Sequence, residues 1–532
     1  MPEGAQTMSE SAWVKAMPLA DLQADGSRIF KTGDKQLAVF WHDGRVLACN
    51  NRCPHEGYPL KEGTLDGKCV LTCNWHNWKF DLETGENMLG GDTLRTYPTE
   101  VRDGAVWVDV SEAPASERIA AALANLKDSF PRHEYDRMAR EIARLAKAGG
   151  DPLEAVRQAI RWTHDQFEFG ATHALAAAPD WLALRARTAK DEATSLIPLV
   201  EAVGHFAWDT MRWGHYPYPE GTADFDPGKL IEAIETEDEA SAIAQVRGAI
   251  AGPGYEALAE PLARAAAAHY QDFGHSMIYS RKAPELIAAL GEEMAEPVYL
   301  MLVRGMVFAR REDLIPEFSA YRPARDAWDG SGTGTPKAAD FHTAGVKKAV
   351  SLCLDASADP IGLYHALLEA SCWQMLHFEL NYSLRHDRPV QDNVGWLDFT
   401  HMITFANAGR MQAERWPDLW PDVLLQMACF TGRNATYVDA TLETDKWTVA
   451  NPAGFVEERL DAMIDHGEFE YIVACHYLKL TTAMREELLA KPQAPWGPTM
   501  AAALNRLVNS PLKRKHLHRV AVQSLDFVAR ED

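Results

Sequence analysis

The sequence predicts a chain of two unlike parts, an all-β domain at the N-terminus followed by a large all-α domain. From residue 28 to residue 110, short apolar runs alternate with turn signals, and Asp43-Gly44 and Asp103-Gly104 each stand between two such runs. Beyond residue 117, Ala, Leu and Glu dominate, and apolar residues recur with the period of an α-helix. We therefore expect a multidomain protein.

The changes in composition set the expected boundaries. We expect a polar tail at 1–11, the β domain at 12–110, a linker at 111–117 and the helical domain at 118–532. The glycine-rich run at 329–336 predicts a break near 326–340, which would join two helical halves or form an active-site lid. Helices are expected at 134–147, 195–212, 236–250, 255–279, 293–310, 342–354, 361–384, 396–413 and 469–490.

Length and charge limit the classes of function. The chain has 532 residues, of which 47% are apolar, and this length allows about two to four domains. The formal net charge of −23 argues against a nucleic-acid partner and against binding to an anionic membrane. We interpret the one basic cluster, at 513–519, as a solvated face, with a dock for an acidic electron donor as the alternative.

The sequence carries no targeting signal that we recognise. No apolar stretch precedes Trp13, and no run reaches the roughly 18 apolar residues of a membrane span. Eight cysteines in a chain of this length do not make a disulfide framework. We therefore expect a reducing, cytoplasmic location and no membrane partner.

Two Cys-His pairs are the most specific feature of the β domain. Cys53-Pro54-His55 is followed by seventeen residues and then by Cys73-Asn74-Trp75-His76. Two thiolates on one iron and two imidazoles on the other are the ligand set of a Rieske [2Fe–2S] cluster, and the order and spacing fit it. A zinc site is the alternative. The pattern indicates a protein that moves single electrons.

The residues after the second pair resemble those of Rieske ferredoxins and Rieske oxygenases. The segment 76–85 has the form H-x-W-x-F-D-x-x-T-G, and the resemblance covers about residues 12–110. High-potential respiratory Rieske proteins have two further cysteines, where this sequence has Tyr58 and Trp75, and we therefore expect a low cluster potential. The resemblance implies that four side chains hold the cluster: Cys53, His55, Cys73 and His76.

The helical domain does not resemble the catalytic domain of Rieske oxygenases. In that domain two nearby histidines and a carboxylate bind iron, whereas the closest arrangement here, Asp165 with His173, has no second nearby histidine. A low-potential cluster does not activate oxygen by itself, so an acceptor is expected in the same polypeptide or in a neighbouring copy. The chain has no G-x-G-x-x-G after a strand and no C-x-x-C-H for covalent haem.

Histidines in the helical sequence are the candidate ligands of a second metal site. Helical spacing puts a histidine and a carboxylate on one helix face in four pairs: Glu201/His205, Asp272/His275, His365/Glu369 and Asp398/His401. Imidazole and carboxylate together suit iron, mononuclear or dinuclear. The predicted ligands are His205, His275, His365, Glu369 and His401, and the predicted catalytic residues are His365, Glu369 and His401.

Other interpretations of these histidines stay open. A helical histidine is more often a hydrogen-bonded core or surface residue, and the E-x-x-H pair of ferritin-like di-iron sites is not present. Non-covalent haem on one of the histidines is a further alternative.

These observations predict an oxidoreductase, an oxygenase or oxidase whose cluster passes electrons to non-haem iron in the helical domain. The expected partners are dioxygen, a small organic substrate and an external reductase or ferredoxin as electron donor, and a homo-oligomer is an open question. The alternatives are an electron carrier or redox sensor whose helical domain binds a ligand or a partner, and a haem-containing redox enzyme.

Overall fold

A computed structural model describes residues 12–89, 91–269, 272–390, 393–510 and 516–530. The polar tail at 1–11 and residues 513–515 of the basic cluster lie outside these ranges, as does the side chain of Asp272. The chain divides into two compact units, Met1–Glu154 and Ala155–Asp532. The prediction of a β domain followed by a helical region is confirmed.

The first unit is built on three antiparallel sheets. Their orders are β1-β10-β9, β2-β3-β4-β8 and β5-β6-β7. The described strands are β1 (Trp13–Pro18), β2 (Ser27–Thr32), β3 (Lys35–His42), β4 (Arg45–Asn50), β5 (Thr64–Leu65), β6 (Val70–Thr72), β7 (Lys79–Asp81), β8 (Thr96–Tyr97), β9 (Thr99–Arg102) and β10 (Ala105–Asp109).

Strand β3 is buried on both faces, and its sequence shows why. Because side chains alternate along a strand, Leu37 and Val39 enter one apolar core while Ala38 and Phe40 enter the other. The second core also contains the Cys53 and Cys73 side chains, so the strand that anchors the fold also supports the candidate cluster site.

Both predicted hairpin turns are present. Asp43 and Gly44 have φ values of 47° and 77° between β3 and β4, and Asp103 and Gly104 have 48° and 71° between β9 and β10. Positive φ at both central residues is the geometry of the two-residue turn whose twist matches that of the flanking strands.

Three helices belong to the first unit. They are α1 (Leu19–Asp25), α2 (Ala115–Ser129) and α3 (Tyr135–Lys147). The sequence placed the start of the helical domain at residue 118, but the contacts group α2 and α3 with the sheets. The buried carboxylate of Asp92 explains this, since it accepts hydrogen bonds from Arg140 and, at 3.0 Å, from Arg144 of α3.

The second unit is helical. Its described α-helices are α4 (Leu153–Thr163), α5 (His173–Thr188), α6 (Glu192–Thr210), α7 (Pro227–Glu235), α8 (Glu239–Ala251), α9 (Ala259–Ala268), α10 (His275–Leu290), α11 (Ala295–Val307), α12 (Tyr321–Ala327), α13 (Ala338–Phe341), α14 (Val346–Asp355), α15 (Pro360–Leu376), α16 (Trp396–Arg415), α17 (Trp420–Asn434), α18 (Pro452–Asp461), α19 (Tyr471–Ala490), α20 (Gly497–Val508) and α21 (Leu517–Val528). Among the described residues, no helix combines the length and the apolar character needed to cross a membrane.

Four helices form the centre of this unit. Helix α5 packs against α10 and α19, and α16 also packs against α10 and α19. The prediction of one helix over 255–279 is wrong, because Phe273 and Gly274 have φ values of 54° and 79° and α10 begins only at His275. This break positions the first turn of α10 at the centre of the unit.

The glycine-rich run at 329–336 separates α12 from α13. Its backbone is held by the end of α14, since Gly332 N–H donates to Ser357 Oγ (3.0 Å) and Gly334 N–H donates to the Asp355 carbonyl (2.6 Å). The division between the two compact units does not fall at this run.

Candidate functional site

Two loops of the first unit have the same local geometry. In one loop Cys53 N–H donates to the Tyr58 carbonyl (2.9 Å) and Gly57 N–H donates to the Cys53 carbonyl (2.8 Å). In the other, Cys73 and Asn77 make the equivalent bonds, with Cys73 N–H on the Trp78 carbonyl (2.8 Å) and Asn77 N–H on the Cys73 carbonyl (2.9 Å). Gly57 and Asn77 both have positive φ, 77° and 60°, which closes each turn.

These loops bring the four predicted ligands together. Cys53 and Cys73 are buried, and their thiols interact with each other. The rings of His55 and His76 lie edge to face with their centres 4.7 Å apart, and both are partly exposed. Burial raises the pKa of the Cys53 thiol to about 11, so the thiol keeps its proton at neutral pH until a metal ion displaces it.

One atom supports the interpretation of this group of side chains as a metal site. His55 Nδ1 is buried and has no hydrogen-bond partner among the described residues. A buried ring nitrogen without a partner is costly unless it binds something, and a metal ion is the ligand that imidazole commonly takes. Two buried thiols beside two imidazoles then give the two-cysteine, two-histidine ligand set of a Rieske cluster.

Comparison with known proteins gives the same result. Residues 12–98 match the family model described as Rieske [2Fe-2S] domain. A 3-phenylpropionate/cinnamic acid dioxygenase ferredoxin subunit of Photorhabdus laumondii is 36% identical over 78 residues, which are 14% of this chain and 74% of that protein. The chain belongs to the Rieske [2Fe–2S] domain family through its N-terminal part.

Two further matches fall in the same part of the chain. The ferredoxin component of the naphthalene 1,2-dioxygenase system of Pseudomonas putida is 30% identical over 19% of this chain and 96% of that protein. The solved structure of the Sphingomonas yanoikuyae B1 ferredoxin is 27% identical, covers 18% of this chain and 96% of that chain, and has a TM-score of 0.17. The matched residues, 12–98, end before the helical unit begins.

Aromatic side chains enclose the histidine edge of the Rieske domain. Trp78 stacks on His55 with ring centres 4.7 Å apart and planes at 13°, and Trp75 stacks on His76 at 5.1 Å and 25°. Trp75 is 57% exposed, and the carboxylate of Glu56 lies 4.0 Å from His55 Nε2 and 3.9 Å from His76 Nε2. The histidine edge is therefore the part of the site that is open to solvent.

A second group of histidines lies at the centre of the helical unit, one on each of the helices α5, α10, α16 and α19. We call it the four-histidine cluster, and its members are His173, His275, His401 and His476. The Nε2 atoms of His173 and His275 are 3.2 Å apart, and the Nε2 atoms of His401 and His476 are also 3.2 Å apart. Ligand atoms of His173, His401 and His476 all lie within 4.8 Å of one another.

The rings of the cluster lie close together, and His401 meets both His275 and His476 edge to face. Ring centres are separated by 4.8 Å between His173 and His476, by 4.6 Å between His275 and His401, and by 4.9 Å between His401 and His476. These rings lie in the interior, with His401 and His476 buried and His173 and His275 at intermediate exposure.

Backbone carbonyls orient two of the rings. Nδ1 of His401 lies 2.7 Å from the Leu397 carbonyl, and Nδ1 of His476 lies 2.5 Å from the Ile472 carbonyl, each one turn earlier in the helix. A carbonyl only accepts, so each Nδ1 carries the proton and each Nε2 keeps its lone pair. This is how proteins commonly orient a metal-binding histidine.

The electrostatic setting keeps these rings neutral. Burial lowers the pKa of His173, His401 and His476 well below the ordinary value, and nearby Lys479 and the other histidines of the cluster lower it further. Neutral imidazole is the form that binds a metal ion, so burial favours the form of these rings that a metal ion would need.

The structure brings together two of the residues predicted from the sequence, His275 and His401. It places His365 elsewhere, with its ring beside Trp496, whose Nε1–H donates to His365 Nδ1 at 3.3 Å. Burial, with Lys491 and Arg410 nearby, lowers the pKa of His365 to about 4. Glu369 lies on the same helix, α15, which is not one of the four helices that carry the cluster.

The carboxylates expected beside the histidines have other partners. Glu201 contacts His466 (3.4 Å), whereas His205 lies 3.5 Å from Asp209 one turn later in α6. Asp398 accepts a hydrogen bond from Gly395 N–H at the start of α16. Spacing within one helix therefore singled out His275 and His401, but the carboxylates of Glu201 and Asp398 contact other groups.

Two members of the cluster were missed. His173 was considered only with Asp165, and the structure instead pairs Asp165 with His215, whose Nδ1 lies 2.8 Å away. His476 has no carboxylate at helical spacing that would have singled it out. What the missed residues share with His275 and His401 is a position in the first two turns of a helix, a signal that could have grouped them.

Proposed function

We propose that this protein is an oxidoreductase in which the Rieske domain supplies electrons to a metal ion held by the four-histidine cluster. The reaction that we propose is the oxygen-dependent oxidation of a small organic substrate. The observation that supports it most strongly is the cluster itself: four buried or half-buried imidazoles, from four helices, converge at 3.2 Å contacts between Nε2 atoms.

In the Rieske domain, the thiolates of Cys53 and Cys73 would bind one iron, and the imidazoles of His55 and His76 would bind the other. When bound, such a cluster supplies one electron at a time. The protein's contribution is burial of the thiols in the apolar core and exposure of the two imidazoles at the histidine edge. Electrons would enter and leave through this edge.

For the helical unit we propose iron as the bound ion. Imidazole ligands suit zinc, copper, iron and nickel, but zinc has no redox chemistry and could not use an electron from a Rieske domain. The ligand set we propose is that of the four-histidine cluster. His365 and Glu369 are not part of it, since they lie on α15, and His205 lies beside it.

The relatives support the type of partner. Two of them are ferredoxins of dioxygenase systems by name, and for this chain we propose an external reductase or ferredoxin as the source of electrons. We also propose a reducing cytoplasm, because all eight cysteines are buried free thiols. A non-covalent haem would need an open face beside one histidine, and the close packing of four rings favours a bare ion instead.

The proposal is tested by following reoxidation of the reduced Rieske cluster. The anaerobic full-length protein is reduced photochemically and mixed with oxygenated buffer, and cluster absorbance is recorded by stopped flow. We expect reoxidation in His401→Ala to be slower than in wild type by about tenfold or more, which corresponds to about 1.4 kcal/mol of activation free energy.

His365→Ala is the matched control, because His365 is also a half-buried helical histidine of this unit but contacts Trp496. We expect it to reoxidise at the wild-type rate. Equal rates in wild type and His401→Ala, with the Rieske spectrum intact in both, would refute electron delivery to the four-histidine cluster.

A further inference from the structure

The first unit contains a cleft beside the loop that carries Cys53. Its volume is about 930 Å³, which is within the range of small-molecule sites. Cys53, Pro54 and Gly57 line part of it, and helices α2 and α3 line another part. All of the lining residues lie between 34 and 148, so the cleft belongs to the first unit alone. The match to the Rieske family ends at residue 98, so the walls that α2 and α3 provide lie outside the matched domain.

Positive charge predominates in this cleft. Seven of its lining side chains are Lys or Arg and three are Asp or Glu, although the whole chain has a net charge of −23. Asp92, which pairs with two of these arginines, makes a fourth acid, and the acid Asp34 has no partner among the described residues. Seven cations and four acids leave a surplus of three positive charges. Four of the cations are paired with acids: Lys35 and Arg95 with Glu112, Arg140 with Asp92, and Arg144 with Asp92 and Glu141.

The three other cations of the lining have no acidic partner among the described residues. They come from three separate segments: Arg52 precedes Cys53, Arg118 belongs to α2 and Lys147 belongs to α3. Arg118 Nε donates to the Ala113 carbonyl (3.1 Å), and its two terminal nitrogens have no hydrogen-bond partner in the described part of the chain. Unpaired cations around one concave space repel one another unless an anion lies between them.

The shape and the apolar part of the cleft favour a small ligand over a protein partner. Apolar side chains line it together with the cations, namely Leu94, Ala121, Ala122 and Ala148. Guanidinium and ammonium groups bind phosphate oxygens strongly, and an apolar wall beside them suits a ring or a carbon chain. A convex acidic protein surface would reach the cations at the rim, but it would not fill a cavity of this volume.

We infer that this cleft binds a small molecule that carries phosphate groups, and that Arg52, Arg118 and Lys147 hold those groups. The ligand is either a free polyphosphate or a nucleotide, which share the phosphate chemistry. Arg118 contributes most, because its side chain is already held at Ala113 and loses less conformational freedom on binding than the exposed side chains of Arg52 and Lys147. The inference goes beyond the proposed function and does not depend on a metal ion in the helical unit.

Binding is measured by isothermal titration calorimetry on the full-length protein with its Rieske cluster bound. Inorganic pyrophosphate is the probe for phosphate groups alone, and ADP is the probe for phosphate groups joined to a ring. We expect Arg118→Gln to weaken binding of the tighter probe by roughly tenfold to a hundredfold. Lys147→Gln should weaken it by roughly twofold to fivefold, and because Lys147 is exposed, this second variant should fold even if Arg118→Gln does not.

Lys127→Gln is the matched control, since Lys127 is an exposed lysine of α2 that does not line the cleft. We expect wild-type affinity for both probes, because this variant removes the same charge from the same unit without changing the cleft. Tighter binding of ADP in wild type would assign the ligand to nucleotides, and equal or tighter binding of pyrophosphate would assign it to polyphosphates, each in agreement with the proposal.

Three results would overturn the inference. The first is that neither probe binds wild type at millimolar concentration, and the second is wild-type affinity in both Arg118→Gln and Lys147→Gln. The third is an equal loss of affinity in Lys127→Gln and Lys147→Gln, which would show that only net charge matters. If neither probe binds but an acidic ferredoxin binds wild type more tightly than Lys147→Gln, the cleft is a docking surface for a protein and the small ligand is refuted.

Discussion

Two backbone carbonyls decide which nitrogen of His401 and His476 is available to a metal ion. Each accepts from Nδ1 of a histidine four residues later in the helix, so the Nε2 lone pairs point at each other across 3.2 Å. Two lone pairs at this distance repel unless a proton or a cation lies between them. The burial that lowers the pKa of both rings disfavours the proton and leaves the metal ion as the better partner.

At the level of single residues, the sequence predicted the Rieske ligands and only part of the helical cluster. Cys53, His55, Cys73 and His76 lie on two loops of fixed length, so local order and spacing were enough. The four histidines of the helical unit come from helices separated by more than 300 residues in sequence, from His173 to His476. Periodicity identifies the residues on one face of one helix, but it does not identify which helices are neighbours.

A buried carboxylate gives a test of pH dependence at the residue scale. Glu141 on α3 is 1% exposed, and burial raises its pKa to about 7. Its pKa in the unfolded chain is near the ordinary value of 4.5. Between pH 4.5 and pH 7 the folded state therefore binds more protons than the unfolded state. The wild-type protein loses stability as the pH rises through this range, by up to about 3 kcal/mol.

Glu141→Gln removes this ionisation. We expect the variant to gain thermal stability over wild type at pH 8 and to gain little at pH 5, as measured by the midpoint of loss of cluster absorbance. Glu117→Gln, which changes an exposed carboxylate on α2, is the control and should shift the midpoint equally at both pH values. The same midpoint difference for Glu141→Gln at both pH values would contradict a raised pKa.

At the scale of the element, the break before α10 positions His275, one member of the four-histidine cluster. In a continuous helix over 255–279, the direction of the His275 side chain would be fixed by its position in that helix. Because the helix is interrupted, α10 has its own orientation and packs against α16. The sequence suggested the break only through Gly274, because the Asp272-Phe273-Gly274 segment otherwise fits a helical pattern. Left-handed backbone at Phe273 is a tertiary requirement that local propensity does not predict.

Gly274 is the position where this break is most sensitive to substitution. Its φ of 79° disfavours any Cβ, and a Cβ there would lie 2.5 Å from the Phe405 ring of α16. We expect Gly274→Ala to destabilise the fold by about 2–3 kcal/mol, from left-handed strain together with the clash, and to release metal from the four-histidine cluster. Denaturant unfolding and metal analysis measure the two effects.

The control for this substitution is Gly345→Ala. Gly345 also precedes a helix, α14, but its φ is −67° and a Cβ there would meet open space. It should change stability by less than about 0.5 kcal/mol and leave the metal content unchanged. A Gly274→Ala protein as stable and as rich in metal as Gly345→Ala would show that the break does not position His275.

At the scale of the whole molecule, the chain joins an electron-transfer domain of a known family to a helical unit with its own candidate metal site. The order of the two parts and their fold classes were predictable, since a change from strand alternation to helical periodicity is visible over hundreds of residues. The division at Glu154 was not predictable, because it depends on ion pairs between distant residues. Arg140 and Arg144 bind the carboxylate of Asp92, which precedes them by about fifty residues. Long-range ion pairs of this kind leave no local pattern.

The most direct test of the four-histidine cluster is the content of iron and acid-labile sulfide per chain, in protein purified without oxygen. A Rieske cluster alone gives about two irons and two sulfides. We predict about three irons for two sulfides in wild type, and about two for two in a His401→Ala/His476→Ala protein whose Rieske spectrum is unchanged. Two irons for two sulfides in wild type, with no other metal present, would contradict the second metal site.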